Sequence, residues 1–468
     1  MVSFGTSGIR DLCPQVVSPD LARALGLVLG ANPKPWLGLS TPADGPLSVG
    51  YDGRRSGLML KSALASGAMQ SGCDVHDLGL CATPTLALHC EDEMGWGVMV
   101  TASHNPPEYN GLKVFWRGRE IPDIWERRIE QQLEEMIGVH PIRPLRASWS
   151  KAGSFHDSSA AARRAHQKLI LSSAPLALIR KAKPRVVVDC ANSAACALMP
   201  DLLRAAGCEV VVLNGTPGEP YGRVLEPKEE TLKELSRTVK KTHAALGIAH
   251  DGDADRAIIL DEKGAMLGLD TQLAIITKEM MEKKTTKKSY SSSPLIISTV
   301  ESSLALREQV QSMGGRLQIT PVGSRNVAAA MRQTGAIFGG EPCGEYLFPG
   351  LVGVPDGLAC GLYFVALFCR KGKLSSLANA IPCYPMQREK IACSNALKAA
   401  AMAIIEKEWP FFNPSRVDGL RSDLPDGWVL VRPSGTEPYI RITAEGKDKK
   451  RLKERVDVVR RLVEKACA

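Results

Sequence analysis

The sequence predicts an α/β protein: three similar strand–helix units followed by a smaller α+β domain. Three observations carry this. Apolar strands alternate with amphipathic helices, the alternation restarts twice, and beyond residue 372 it gives way to short strands with two helices. With 468 residues, 44% of them hydrophobic and 23% charged, the chain can fill three or four separate cores. The same composition excludes wholesale disorder, collagen and a coiled-coil rod.

The first round opens at Ser18-Pro19, a hydroxyl cap with proline at the first helical position, followed by Leu21, Ala24, Leu25 and Val28 at helical spacing. A Pro/Gly-rich insert at 32–46 leads to a strand at 47–51. A helix at 58–70, a strand at 73–78, a helix at 84–90 and a buried-looking strand at 96–101 follow. The second round uses strands at 185–189, 209–213 and 245–249, with a helix from Pro227. The third uses strands at 295–298, 316–319 and 336–338. In the tail, strands near 384–391 and 428–431 accompany helices at 395–409 and 448–465. Junctions are expected at 141–145, just after Asp261, and at 371–373. The stretch 283–294 reads as a solvated loop inside the third round.

The formal charge is +9, which admits nucleic acid, an anionic membrane surface or acidic small molecules as partners. Most of that excess lies in two surface-like stretches, 278–288 and 447–468. Aromatic residues make up only 5%, without the interleaving that nucleic-acid binding favours, so no nucleic-acid partner is expected. The N-terminus lacks a basic stretch leading into an apolar one, and no apolar run approaches the ~20 residues of a membrane span. Thirteen scattered cysteines without a Cys-x-x-Cys pair suggest neither a disulfide framework nor a zinc knuckle. A cytoplasmic protein is expected, with no membrane partner.

Five segments carry chemistry. After the strand at 96–101 comes Ala102-Ser103-His104-Asn105-Pro106-Pro107, where a turn would lift Ser103 to the carboxyl end of a parallel sheet. A lone Ser-His pair in such a loop would ordinarily be a cap. Lys113 follows nearby and reads by itself as a surface lysine. After the strand at 245–249 comes His250-Asp251-Gly252-Asp253-Ala254-Asp255-Arg256, three alternating carboxylates suited to a hard cation such as Mg²⁺. An EF-hand is excluded because its sixth position would be Arg256 instead of glycine. The C-terminal Arg432-Pro433-Ser434-Gly435-Thr436 and the N-terminal Gly5-Thr6-Ser7-Gly8-Ile9-Arg10 each combine glycine, hydroxyls and an arginine, the ingredients of a phosphate nest or of a plain turn. In the third round, Gly340-Glu341-Pro342-Cys343-Gly344-Glu345 puts carboxylates on a Gly-rich loop, able to meet sugar hydroxyls or simply a charged turn.

Taken together and in this order, Thr-Ala-Ser-His-Asn-Pro, Asp-Gly-Asp-x-Asp-Arg and Arg-Pro-Ser-Gly-Thr-Glu-Pro resemble the α-D-phosphohexomutase family of phosphoglucomutases, phosphomannomutases and phosphoglucosamine mutases, over nearly the whole chain. The resemblance implies three α/β domains with mixed sheets and a C-terminal α+β domain around a central cleft, here 1–145, 146–262, 263–372 and 373–468. It implies that Ser103 is a phosphoserine and that one Mg²⁺ is held by Asp251, Asp253, Asp255 and an oxygen on Ser103. His104, Lys113, Arg10 and Arg256 would assist proton transfer or neutralise charge. Glu341, Cys343 and Glu345 would contact the sugar, and Arg432, Ser434, Gly435 and Thr436 the non-reacting phosphate. The implied reaction interconverts hexose 6- and 1-phosphates through a sugar bisphosphate, which also serves as primer, in a monomer or homodimer.

Two positions depart from the family pattern. Ala254 stands where many members have glycine, a change expected to be tolerated provided the backbone there is not left-handed. Glu345 stands where many bacterial relatives have a histidine implicated in proton transfer, which leaves that role unassigned. The remaining alternatives are a phosphopentomutase of the same family, a metal-dependent phosphatase with an aspartate nucleophile at Asp251 or Asp253, and a non-catalytic binding protein.

Overall fold

The computed structural model describes residues 3–5, 8–31, 45–137, 149–286, 293–435 and 437–467. The chain divides into two compact units: Met1–Leu267 with Glu345–Ser376, and Gly268–Gly344 with Leu377–Ala468.

The first unit holds two sheets. In the larger, the strand order is Ile9–Leu12, Tyr109–Trp116, Trp96–Val100, Leu47–Tyr51, Val75–Leu80 and Phe155–Asp157, with Arg119–Glu120 pairing Tyr109–Trp116. From Trp96–Val100 onward neighbours are parallel; the two pairings on the other side are antiparallel. Trp96–Val100 is buried throughout. Val98 and Val100 pack with Leu25 and Leu64, whereas Met99 packs with Leu86 and Phe115. Alternate side chains therefore enter two different cores, which is why a strand covered on both faces is apolar without interruption. On one face Ser18 caps the helix Pro19–Gly30, its hydroxyl accepting from the Leu21 amide at 3.1 Å. The second sheet runs Ile258–Leu260, Leu246–Ala249, Arg185–Asp189 and Glu209–Leu213, parallel except for the first pair. Both sheets are thus mixed, and the segments that follow Tyr51, Val100 and Ala249 leave from carboxyl ends of parallel strands.

The second unit contains parallel strands Arg316–Thr320, Leu295–Thr299 and Phe338–Gly340 in that order. It also contains an antiparallel sheet ordered Met386–Ala392, Tyr439–Gly446, Gly427–Pro433 and Leu420–Leu424. Ile440, Ile442, Val429 and Val431 of this sheet pack on Ile405, Val456, Val459 and Val463 of the helices Lys398–Lys407 and Lys449–Cys467.

Several expectations shift. The strand Tyr109–Trp116 escapes the sequence pattern because it buries Asn110 and Lys113 among apolar neighbours. Leu420–Leu424 and Tyr439–Gly446 escape it too, as charged residues alternate with the buried ones. The third-round strand starts at Phe338, not Ala336, and the helix expected from Pro227 becomes a short turn at Glu229–Thr231 before the helix Lys233–Thr242. Residues 283–286 end the helix Leu269–Thr286 instead of opening a loop. The insert at 32–44, the junction at 141–145 and residues 287–292 lie outside the described residues. Among the described residues no helix is long and apolar enough to cross a membrane.

Candidate active site

Ser103 leaves the carboxyl end of Trp96–Val100 in a left-handed conformation, φ 51°, and is buried. Such a conformation persists in a non-glycine residue only when its surroundings impose it, and they do. The Ser103 amide donates to Thr101 Oγ1 at 2.8 Å, and Thr101 Oγ1 donates to Asp52 Oδ2 at 2.6 Å. Arg54, 1% exposed, uses all five donors: Nε to Asp52 Oδ2 at 3.1 Å, Nη1 to the carbonyls of Pro106 (2.7 Å) and Tyr109 (2.9 Å), and Nη2 to those of Ser103 and Asn105 (both 2.8 Å). One guanidinium therefore fixes the loop that carries the serine. Burial raises the Asp52 pKa, against the pull of Arg54 and Thr101.

The second loop leaves the strand Leu246–Ala249 and brings Asp251, Asp253 and Asp255, all buried, to within 4.8 Å of one another by one oxygen each. Gly252 allows the close approach: a Cβ there would lie 2.2 Å from the Ser103 carbonyl oxygen. Ser193 Oγ sits between the carbonyls of Gly252, at 2.6 Å, and Asp52, its single proton shared between the two, and Thr83 Oγ1 donates to Asp253 Oδ2 at 2.6 Å. Ala254 has φ 57°, so the condition for harmless replacement of glycine fails and the alanine carries strain of about 1 kcal/mol. Ala254→Gly is expected to raise stability by up to about 1 kcal/mol, less the entropy glycine loses on folding, read as a higher urea midpoint at unchanged slope.

Between the loops, Ser103 Oγ donates to Asp251 Oδ2 at 2.8 Å and lies 3.3 Å from His104 Nδ1. Lys113 is a buried cation, not a surface one, with Nζ 3.3 Å from Asp253 Oδ2 and 2.9 Å from Asp255 Oδ2. Burial opposes its charge, but these two carboxylates outweigh it and raise its pKa. Burial and repulsion by Asp255 and Asp253 raise the Asp251 pKa, and burial with the Asp253 charge lifts Asp255 to about 6. For Asp253, burial is overcome by Lys113 and Arg10, and the pKa falls. Burial, then Arg256 and Arg10, lower His104 to about 3, so its imidazole is neutral. Arg10 reaches this region from the strand Ile9–Leu12, opposite Gly111.

The acidic triad fits a divalent cation. Oδ1 of Asp253 and Oδ1 of Asp255 are buried without a hydrogen-bond partner among the described residues. A carboxylate oxygen in that state calls for a cation, and an all-oxygen set suits Mg²⁺.

Arg256 Nε is 4.0 Å from Asp251 Oδ2, and its guanidinium pairs with Glu345, Nη2 to Oε1 at 2.9 Å. Glu345, where a histidine was the family expectation, is therefore an ion-pair partner of a site cation. In the second unit, Glu341 Oε2 accepts from the Gly323 amide at 2.9 Å, and Cys343 is partly buried on the same loop. Arg432 pairs with Glu301 at 2.9 Å and approaches Asp418 at 3.7 Å. Ser434 Oγ accepts from the Glu437 amide at 3.1 Å, and Lys398 Nζ donates to the Ser434 carbonyl at 2.5 Å, fixing the turn that presents Gly435. Thr436, Thr6 and Ser7 lie outside the described residues.

Sequence reasoning missed Asp52, Arg54, Thr83, Ser193 and Lys398. For the first two a signal existed: Asp-Gly-Arg directly follows the strand at 47–51, the carboxyl-end position where ligand sites form.

Comparison with known proteins finds matches along the chain to four models of phosphoglucomutase/phosphomannomutase: alpha/beta/alpha domain I at residues 1–137, II at 165–264, III at 269–384 and the C-terminal domain at 387–462. A probable phosphoglucosamine mutase of Methanopyrus kandleri is 41% identical across 98% of this chain and 98% of that protein. A phosphoglucosamine mutase of Methanococcus vannielii is 36% identical across 96% and 95%. Among solved structures, a phosphoglucomutase/phosphomannomutase family protein of Burkholderia thailandensis superposes with a TM-score of 0.84 at 26% identity, covering 100% of this chain and 98% of that one.

Proposed function

Since this chain belongs to the phosphoglucomutase/phosphomannomutase family, we propose that Ser103 is the residue that carries its phosphoryl group, and that the substrate is glucosamine phosphate. The chain is a phosphohexomutase, a phosphotransferase of the isomerase class. The observation that carries the Ser103 assignment is its hydroxyl, held 2.8 Å from one carboxylate of a buried acidic triad. The glucosamine reading rests on relatives at 41% and 36% identity that bear that name.

In the first half of the reaction the Ser103 Oγ–phosphorus bond breaks and a phosphorus–oxygen bond forms to a sugar hydroxyl oxygen, whose proton ends on the departing Ser103 Oγ, giving the bisphosphate and a free serine hydroxyl. After the bisphosphate turns over, the bond from its other sugar oxygen to phosphorus breaks, that phosphoryl group passes to Ser103 Oγ, and the sugar oxygen takes up the proton the serine gives up. As the Ser103 Oγ–phosphorus bond forms, the serine proton, directed at Asp251 Oδ2 in the resting site, is released toward His104 Nδ1, which lies 3.3 Å from Oγ and is neutral, on its way to the sugar oxygen. Asp251, Asp253 and Asp255 with an oxygen on Ser103 would hold one Mg²⁺, which neutralises phosphate charge when bound. Lys113, Arg256 and Arg10 supply the further positive charge that a transferring phosphoryl group requires. Arg432, Ser434, Gly435 and Thr436 hold the non-reacting phosphate, while Glu341, Cys343 and Glu345 meet the sugar. The four domains meet at 145, 262 and 372 and carry one motif each, in a monomeric or homodimeric enzyme.

Coupled rates for glucosamine, mannose and glucose 6-phosphates and ribose 5-phosphate, each with a bisphosphate primer, test the substrate. The highest kcat/KM is expected for glucosamine 6-phosphate. A preference for the pentose, or phosphate release as fast as isomerisation, would refute this reading.

A further inference from the structure

At the opposite end of the first sheet from Ser103, the molecule gathers histidines that the mutase reaction does not use. His76 is the second residue of the strand Val75–Leu80, and its neighbours in register are Ser48 of Leu47–Tyr51 and His156 of Phe155–Asp157. About 13 Å of strand separates Ser48 from Asp52 at the catalytic end. His89 and Glu93 are four residues apart at the end of the helix Thr83–Asp92, so both project from one face toward His76. One ligand atom each from His76, His89 and Glu93 lies within 4.8 Å of the others. The His76 ring is centred 5.4 Å from that of His89 and 5.5 Å from that of His156.

Two further facts distinguish this group from a chance surface trio. Nδ1 of His76 is buried without a hydrogen-bond partner among the described residues. His89 is 9% exposed, and its Nδ1 meets Ser48 Oγ at 2.9 Å, which orients the ring and leaves Nε2 for a ligand bond. Tetrahedral zinc sets its ligand atoms about 3.3 Å apart. Glu93 is exposed at a helix terminus and free to swing inward over that difference.

We propose that His76, His89 and Glu93 form a second metal site, separate from the acidic triad, which takes Zn²⁺ or a similar transition-metal dication with His156 or water as fourth ligand. Imidazole nitrogens select such ions over Mg²⁺, whose preference is oxygen. Bound there, the ion ties the strand Val75–Leu80 to the end of the helix Thr83–Asp92 and stabilises the folded chain by mass action.

The test titrates Zn²⁺ into the full-length enzyme in excess Mg²⁺ against a chromophoric chelator, and repeats the titration with Co²⁺ by visible absorption. One Mg²⁺-resistant Zn²⁺ per chain is expected, with Co²⁺ bands of a tetrahedral nitrogen-containing site. His76→Gln and Glu93→Gln should each weaken the site by roughly tenfold or more. Glu93→Gln, an exposed change, should keep Mg²⁺-dependent mutase activity. No retained Zn²⁺, or the same affinity in both variants, would overturn the proposal.

Discussion

Replacing Ser103 by alanine is expected to lower kcat/KM by at least about 10⁴-fold while leaving the fold intact, because the step lost is covalent. Phosphate-monoester cleavage is among the slowest uncatalysed reactions, so the rest of the site cannot compensate for a missing carrier of the phosphoryl group. The folded state loses the Ser103 Oγ to Asp251 Oδ2 hydrogen bond, about 1 kcal/mol, and the longer contact of that hydroxyl with His104 Nδ1. A coupled mutase assay with saturating bisphosphate, beside circular dichroism of the same preparation, reads both effects. Wild-type activity in Ser103→Ala would refute the assignment.

The largest expected effect on stability belongs to Arg54. Arg54→Ala removes donors from four carbonyls of the serine loop and leaves Asp52 buried without its cation. Breaking a buried pair from one side costs about 3–5 kcal/mol. Asp52 already has a raised pKa through burial, opposed chiefly by Arg54. Without Arg54 it rises further. A carboxyl whose folded pKa lies above its unfolded value stabilises the fold below the unfolded pKa, and that contribution is lost as pH rises through the folded pKa. The penalty in Arg54→Ala is therefore expected to be larger at neutral than at mildly acidic pH, measured by urea unfolding at both. Arg54→Lys should restore the charge but not the five-donor clamp, so its stability recovers more than its kcat. A 1 Å misplacement of the serine is worth about 10²-fold in rate.

The alternation of strands such as Trp96–Val100 and Arg185–Asp189 with helices was legible because parallel strands covered on both faces are uninterrupted apolar runs. Tyr109–Trp116 was not, since Lys113 looks like a surface residue until the two aspartates that neutralise it are brought in from a loop about 140 positions away. The same holds for the candidate site. The three aspartates announce themselves by local pattern, whereas Ser103 stands out only once its motif is read together with the others as a family resemblance. Arg54 acts only through backbone carbonyls that the fold delivers, and no spacing rule marks carbonyls. The strain at Ala254 was equally invisible, because φ is a property of the folded loop. The pairing of Glu345 with Arg256 joins positions 89 apart and surfaces only in three dimensions.

The central claim is that phosphoryl groups pass through the Ser103 hydroxyl and not through Asp251 or Asp253. The most direct measurement is to incubate the enzyme with Mg²⁺ and a sugar bisphosphate carrying labelled phosphate, quench, digest and locate the label. The expected result is label on the peptide containing Ser103, stable to mild alkali as a serine ester is and transferable to added hexose monophosphate. Label on the peptide containing Asp251 and Asp253, labile as an acyl phosphate, or label found only as inorganic phosphate, would contradict it.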